Sequence, residues 1–241
     1  MINLKNHQKI ALGFSGGKDS IACLILLKDH LDKITVFWLN TGDAFPETIA
    51  QVEQVRNMCP NFIEVKSNQP DDIAVNGYPV DLLPVRNHIG VQAAFMIDRL
   101  PLQSFIACCE KNRMHPLQKA MIDFGATMII RGQKLSDHHK SPVMSGDVIG
   151  GIEYFFPLQN MTDKDVMELV SDSPLLPEHY EYANTSLDCM HCTAYLSENT
   201  WKLGYLERNH PIQGKEVRKR FIQIRQEINR EYQFLASVEN A

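Results

Sequence analysis

The run Ser15-Gly16-Gly17-Lys18-Asp19-Ser20 decides the fold, because an apolar strand leads into it and an apolar helix leaves it. Residues 9–14 read as the strand and 19–31 as the helix. Gly16 and Gly17 let the backbone turn tightly and bring its N–H groups close to an anion. The first helical turn adds unpaired N–H groups and the positive end of its dipole. Lys18 contributes a point charge, and Asp19 is a candidate ligand for a Mg²⁺ that bridges phosphates. Ser15 to Ser20 therefore form a candidate phosphate cradle, with Lys18 and Asp19 the candidate catalytic pair. A Walker loop is excluded, since it would need Gly at Leu12 and Ser or Thr at Asp19.

Working outward, strands alternate with helices. A continuous apolar strand, 34–39, suits a sheet buried on both faces. It ends at the turn Asn40-Thr41-Gly42-Asp43, after which Pro46 opens a helix to about Met58. A third strand is expected over 62–65. A helix over 116–124 leads to a strand at 127–130, which runs into Arg131-Gly132-Gln133. Thr162 is the expected N-cap of a helix over 164–170. Such alternation predicts an α/β fold: an open, mostly parallel twisted sheet with helices on both faces. Ligands bind such sheets at the carboxyl ends of the strands, which would gather Ser15–Ser20, Asn40–Asp43 and 131–133 on one edge. Residues 171–199 lack periodicity. From Gly214 a long amphipathic helix is expected, with Phe221, Ile224, Ile228, Tyr232 and Leu235 as its buried stripe. The expected division is a nucleotide-binding α/β domain over 1–195 and a C-terminal helical extension over 196–241.

The 241 residues, 44% of them hydrophobic, suffice for one large domain with a real core. No apolar run is long enough to span a bilayer and no secretory leader is visible, so a cytoplasmic protein with no membrane partner is expected. The net charge of −5 is unevenly spread: residues 201–230 hold eight Lys/Arg against three Glu, a local +5 that leaves −10 for the rest. The basic set includes Lys215, Arg218, Lys219, Arg220, Arg225 and Arg230. It reads either as a solvated helix face or as a surface for an anionic partner, including a nucleic-acid acceptor.

Six cysteines in a cytosolic chain point to metal ligands or reactive thiols rather than disulfides. Cys108 and Cys109 are adjacent, and Cys189 and Cys192 are spaced as Cys-x-x-Cys. Neighbouring cysteines are poorly suited to one tetrahedral Zn²⁺, yet they reach two irons of a cuboidal cluster, and four Cys is the usual [4Fe–4S] set. Zinc and unligated thiols remain alternatives. Lys111 and Arg113 are placed to offset thiolate charge. His191 is spaced poorly to share the metal, and His138-His139 reads as a solvated pair. Cys23 is expected to be buried in its helix, and Cys59, before Pro60, is a candidate exposed thiol.

These residues resemble the phosphoadenosine phosphosulfate reductase family, within the adenine nucleotide α-hydrolase superfamily. The likeness runs in order over about residues 8 to 195. Ser15–Ser20 corresponds to the pyrophosphate loop, and residues 36–42 with Phe45-Pro46-Glu47-Thr48 to the adenosine-proximal strand and helix start. Cys108-Cys109-Glu110-Lys111 with Pro116-Leu117 is similar to the cluster segment of adenylyl sulfate reductases. Arg131-Gly132-Gln133-Lys134 is similar to the substrate-binding strand end, and Phe156-Pro157-Leu158 is also characteristic. The resemblance implies that Asn40, Thr41, Gly42, Arg131, Gly132, Gln133 and Lys134 join the loop in binding an adenine nucleotide.

The departures sharpen the functional question. The reductases carry their attacking cysteine in a C-terminal segment, and no cysteine follows Cys192. Asn40 stands where Asp is usual. The loop is complete, as in the ATP-cleaving relatives, whereas the reductases commonly have a degenerate one. The first expectation is therefore an ATP pyrophosphatase that adenylates a substrate with Mg²⁺ and uses a [4Fe–4S] cluster in sulfur transfer. The second is a sulfonucleotide reductase acting on adenylyl sulfate, with Arg131 and Lys134 at the sulfate and a thiol from Cys59 or a sulfur-donor protein. The third is a binding module that senses nucleotide or cluster without turnover.

Overall fold

A computed structural model describes residues 4–137, 141–183 and 185–239. His138-His139 falls outside the described residues. In chain order the elements are β1 (Ile10–Phe14), α1 (Lys18–Leu26), β2 (Ile34–Asn40), α2 (Pro46–Met58), β3 (Phe62–Lys66), α3 (Gln69–Asn76), β4 (Tyr78–Val80) and α4 (Ile89–Phe95). They continue with β5 (Leu102–Ser104), α5 (Phe105–Cys109), α6 (His115–Asp123), β6 (Met128–Ile130), β7 (Val148–Ile149), β8 (Ile152–Phe155), α7 (Asp163–Val170), α8 (Lys202–Asn209) and α9 (Pro211–Glu239). The chain divides into two compact units. The first comprises residues 1–40, 44–67 and 115–187, and the second 41–43, 68–114 and 188–241.

The first unit is a six-stranded sheet in the order β3-β2-β1-β6-β8-β7. All neighbours are parallel except the edge strand β7, which runs antiparallel to β8. Within this sheet β1 carries the alternation that separates two cores. Ile10, Leu12 and Phe14 pack with Ile21, Val52, Val55 and Val166, while Ala11 joins Phe37, Met121 and Ile129 on the opposite face. Helices thus cover both faces, as the continuous apolar strands require. Burying a side chain such as Phe37, 1% exposed, contributes about 2–3 kcal/mol. The order reverses at β1, with β2 on one side and β6 on the other, so the loops after β1 and β6 leave the sheet at its switch point.

Helix α1 stops sooner than its apolar pattern suggested. Leu27 caps it, and Lys28–His30 form a separate 3₁₀ turn. Helix α7 begins as expected: Thr162 and Asp165 make a reciprocal capping box.

The second unit is built on a two-stranded parallel sheet, β4 beside β5, that periodicity had not revealed. Three-residue strands are too short to show alternation. Gly77 precedes β4 with φ +89°, and a Cβ there would come within 1.9 Å of the Pro101 carbonyl oxygen. Val80, Leu102 and Ile224 form the local core, with Tyr78, Leu100 and Ile228 against it. Helix α9 is long and amphipathic, but its stripe is covered only in part. Ile224 is buried, whereas Tyr232 and Leu235 are 65% and 57% exposed. The buried face instead takes Glu227, which accepts a 2.9 Å hydrogen bond from Asn87 Nδ2 and lies 3.7 Å from the Arg99 guanidinium. Beyond this anchor the apolar residues of α9 find no β4–β5 core to cover them.

Candidate functional site

Two constellations emerge, one in each unit. In the first, the turn after β1 is held open by Gly16 at φ +84°, where a Cβ would meet Gln51 Oε1 at 2.6 Å. Ser15 Oγ accepts from the Gly17 N–H at 3.3 Å, and the Ser20 hydroxyl donates to the Gly17 carbonyl at 2.8 Å. The Lys18 N–H donates to the hydroxyl of Tyr180 at 3.0 Å.

The charges of this unit form one network. Lys18 Nζ lies 3.2 Å from Asp19 Oδ2 and 2.8 Å from Asp163 Oδ1. Lys134 Nζ lies 2.6 Å from Asp19 Oδ1, 2.7 Å from Asp137 Oδ1 and 3.5 Å from Asp163 Oδ1. Both ammonium groups are buried, with side chains 8% and 1% exposed. Burial opposes the charge of Lys134, but the hydrogen bonds it donates to Asp137 and Asp19 outweigh it and push its pKa up to about 12. Asp163 is held below the usual carboxylate range: burial opposes this, and Lys18 and Lys134 prevail.

Gly132 touches this network through its backbone, since a Cβ there would sit 2.9 Å from the Asp19 carbonyl. Arg131 is partly buried, faces the Tyr154 ring at 5.6 Å, and pairs with no carboxylate among the described residues. Burial pulls its pKa down. The buried Gln133 Oε1 has no hydrogen-bond partner among the described residues. A desolvated cation at the end of β6 suits an anionic group, and the orphan acceptor beside it suits a hydroxyl or amine donor. Asn40, at the end of β2, donates to Glu64 Oε1 at 3.0 Å. An Asp there would set two carboxylates against each other.

In the second unit the four cysteines share one neighbourhood. Cys108, Cys109 and Cys189 are buried and Cys192 nearly so, and all are free thiols. Burial pushes the Cys108 thiol up to about 11 and the Cys189 thiol up to about 12. Cys108 also feels Cys109 and Cys192, and Cys189 feels Cys192. Donors surround the sulfurs: Gln69 Nε2 reaches Cys108 Sγ at 3.3 Å, and the Thr41 hydroxyl lies 3.7 Å from Cys189 Sγ. Arg113 is held firmly protonated by the Asp188 carboxylate, 2.9 Å away, against the opposing effect of burial. Lys111 instead turns to Asp72, so of the two expected cations only Arg113 serves the thiols. Tyr195 hydrogen-bonds Cys109 from a strained backbone at φ +59°, pinned where Asp81 accepts from the Tyr195 and Leu196 N–H groups. A one-turn π-helix, Glu110–Met114, follows the adjacent pair, a distortion frequent at functional sites. Gly42, at φ +80°, follows Thr41 in this unit.

Four thiols with convergent hydrogen-bond donors and the partly exposed Arg113 guanidinium beside them fit a thiolate-ligated cluster. Among the described residues no three His, Cys, Asp or Glu side chains close on a single ion position. His191 is engaged elsewhere, with Nδ1 2.6 Å from Asp43 Oδ1 and Nε2 3.6 Å from Glu216 Oε2. Cys23 is buried as expected. Cys59, the candidate exposed thiol, is 5% exposed within the core, and burial raises its pKa.

Phosphoadenosine phosphosulfate reductase domains match residues 9–195. The chain belongs to this family. It is 25% identical over 194 residues to a phosphoadenosine 5'-phosphosulfate reductase of Gloeobacter violaceus, covering 79% of this chain and 74% of that one. It is 28% identical over 194 residues to an adenosine 5'-phosphosulfate reductase of Burkholderia cepacia, covering 78% and 71%. Among solved structures, a phosphoadenylyl-sulfate reductase from Candida auris in a phosphate complex aligns with TM-score 0.54 and 13% identity, over 79% of this chain and 86% of that one. That likeness concerns the fold. As a family member the chain is an enzyme of the sulfonucleotide reductase group.

Sequence reasoning missed Asp163, Asp137, Tyr180 and Gln51. Thr162 signalled the start of α7, and an acidic residue in a first helical turn is ordinarily read as dipole compensation. Tyr180 lies in the aperiodic stretch and carried no signal. On α9, Arg218 pairs with Glu207, Arg220 with Glu216 and Arg230 with Glu227, which leaves Lys215, Lys219 and Arg225 facing solvent. No helix among the described residues is long and apolar enough to cross a membrane.

Proposed function

We propose that this family member binds Mg·ATP at the loop after β1, transfers adenylate to an acceptor, and couples that step to sulfur chemistry at the four cysteines. The observation that carries the reading is the network of two buried ammonium groups and three carboxylates around Asp19. Three carboxylates beside a phosphate site repel an anion unless a cation stands between them. A metal–polyphosphate satisfies both halves, with phosphates taking the lysines and the cation taking one or two carboxylates. Asp19 and Asp163 are the residues that would hold Mg²⁺, which supplies charge neutralisation between the phosphates when bound.

In the reaction, an acceptor oxygen forms a bond to the α-phosphorus and the α–β P–O bond breaks, releasing pyrophosphate. Lys18 and the loop N–H groups stabilise the charge that builds on the leaving group. Lys134 orients Asp19, and Arg131 receives an anionic oxygen of the nucleotide. Cys108, Cys109, Cys189 and Cys192 would hold a [4Fe–4S] cluster, which supplies sulfur or redox chemistry when bound. Lys215, Lys219 and Arg225 offer a nucleic-acid acceptor a modest cationic face. The test is ATP-dependent pyrophosphate release: Lys18→Ala should abolish it, and full activity in that variant removes the mechanism.

The second reading, reduction of a sulfonucleotide such as adenylyl sulfate, is favoured by the names of the two curated relatives. It requires a thiol from outside the described site, because Cys59 is buried. Sulfite release from adenylyl sulfate in the presence of a thiol-donor protein would decide for it.

A further inference from the structure

The phosphate loop is plugged by the protein itself. The Tyr180 hydroxyl occupies the Lys18 N–H at 3.0 Å, one of the donors that a helix N-terminus offers an anion. A Cβ on Gly17 would meet that hydroxyl at 3.3 Å and the Ser186 Cβ at 3.1 Å, so this segment lies directly on the glycine turn. The segment is organised in that position. Glu178–Glu181 form a 3₁₀ turn, the Tyr180 ring stacks on His179 with centroids 4.3 Å apart, and His179 Nε2 is 3.0 Å from the Thr185 carbonyl. The Gly17 N–H and the Lys18 ammonium also already have protein acceptors.

An N–H has one proton, and a phenolic oxygen and a phosphate oxygen cannot both receive it in a short, straight bond. We infer that Tyr180 is a specificity-determining residue whose hydroxyl stands in for a ligand oxygen, so that a pyrophosphate tail is gripped only after the segment around Tyr180 withdraws. The inference rests on the polyphosphate reading above and adds to it which residue sets the cost of admitting that tail. Because only the withdrawn population is competent, apparent affinity falls by the fraction that is closed. A nucleotide too short to reach the Lys18 N–H escapes this penalty.

Tyr180→Phe keeps the ring and its stack but frees the Lys18 N–H. In calorimetric titrations of the full chain with Mg²⁺ present, it should tighten binding of ATP and of inorganic pyrophosphate about two- to tenfold, the range of one neutral hydrogen bond. Adenosine monophosphate should bind it as it binds wild type. Hydrogen exchange on the wild-type chain provides an independent readout: pyrophosphate should speed exchange over residues 177–183. Unchanged or weaker pyrophosphate binding by the variant, equal tightening of the monophosphate, or slower exchange over 177–183 would each overturn the inference. If wild type binds ATP, Lys18→Ala loses it and Tyr180→Phe changes nothing, only this inference falls. If neither wild type nor Tyr180→Phe binds ATP or pyrophosphate, the polyphosphate reading falls with it.

Discussion

The Lys134 ammonium and the Asp19 carboxylate meet at 2.6 Å across 115 residues of chain, joining the loop after β6 to the helix that opens after β1. The Lys134 side chain is 1% exposed, and Asp137 and Asp163 approach the same nitrogen. Removing the cation would leave carboxylates facing one another. Lys134→Met should therefore destabilise the protein by about 1–2 kcal/mol, because the carboxylates left behind are partly exposed and Lys18 still pairs with two of them. Urea unfolding checks the value. Asp137→Asn, which leaves Asp19 and Asp163 to hold the lysine, should cost much less.

Gly132→Ala probes the same junction through the backbone. A methyl group there would stand 2.9 Å from the Asp19 carbonyl carbon and oxygen, atoms that cannot rotate away. We expect a loss of about 1–3 kcal/mol from overpacking together with weaker nucleotide binding, because α1 must shift. A stability unchanged from wild type would mean that the junction relaxes freely.

How much of this was legible in the sequence follows from what each signal depends on. The sequence β1–loop–α1, the apolar β2, the Pro46 helix start and the Thr162 cap were legible because glycine, proline and capping residues act locally. β4 and β5 were not, since three residues carry no period, and their pairing depends on Gly77 lying against Pro101. The covered part of α9 was also misjudged. Helical spacing shows which residues share a face, but the exposure of Leu235 and the burial of Glu227 depend on where the β4–β5 core ends. In the candidate sites, the cysteines and glycines announced themselves by type and spacing. Asp163 and Tyr180 acquire their roles only through contacts across 145 and 162 residues of chain (163 − 18 and 180 − 18).

A pH dependence follows from His179. Burial lowers its pKa below the usual 6.5, so the folded state resists a proton that the unfolded chain accepts. The unfolded state then binds more protons, and linkage makes stability rise with pH across that interval. Stability should fall as pH drops below about 6.5 and level off once the folded imidazole also titrates. His179→Gln should flatten this limb of the curve of unfolding free energy against pH. An unaltered slope in the variant would assign the limb to other groups.

The four cysteines give the last prediction. If they hold a [4Fe–4S] cluster, anaerobically purified protein should be brown and carry about four iron atoms per chain with matching sulfide. Cys108→Ser and Cys189→Ser should each lose most of that iron, since each removes a ligand from a buried set with fixed donors. Cys23→Ser and Cys59→Ser should retain it, because both thiols lie in the core of the first unit. Gln69→Leu is the finer test. It deletes the 3.3 Å donor to Cys108 Sγ while keeping bulk, so the iron should stay and the reduction potential should fall as the sulfur loses its hydrogen bond. Retention of full iron content by both Cys108→Ser and Cys189→Ser would exclude these two cysteines as ligands. Loss of iron from Cys59→Ser alone would move the centre to the other unit.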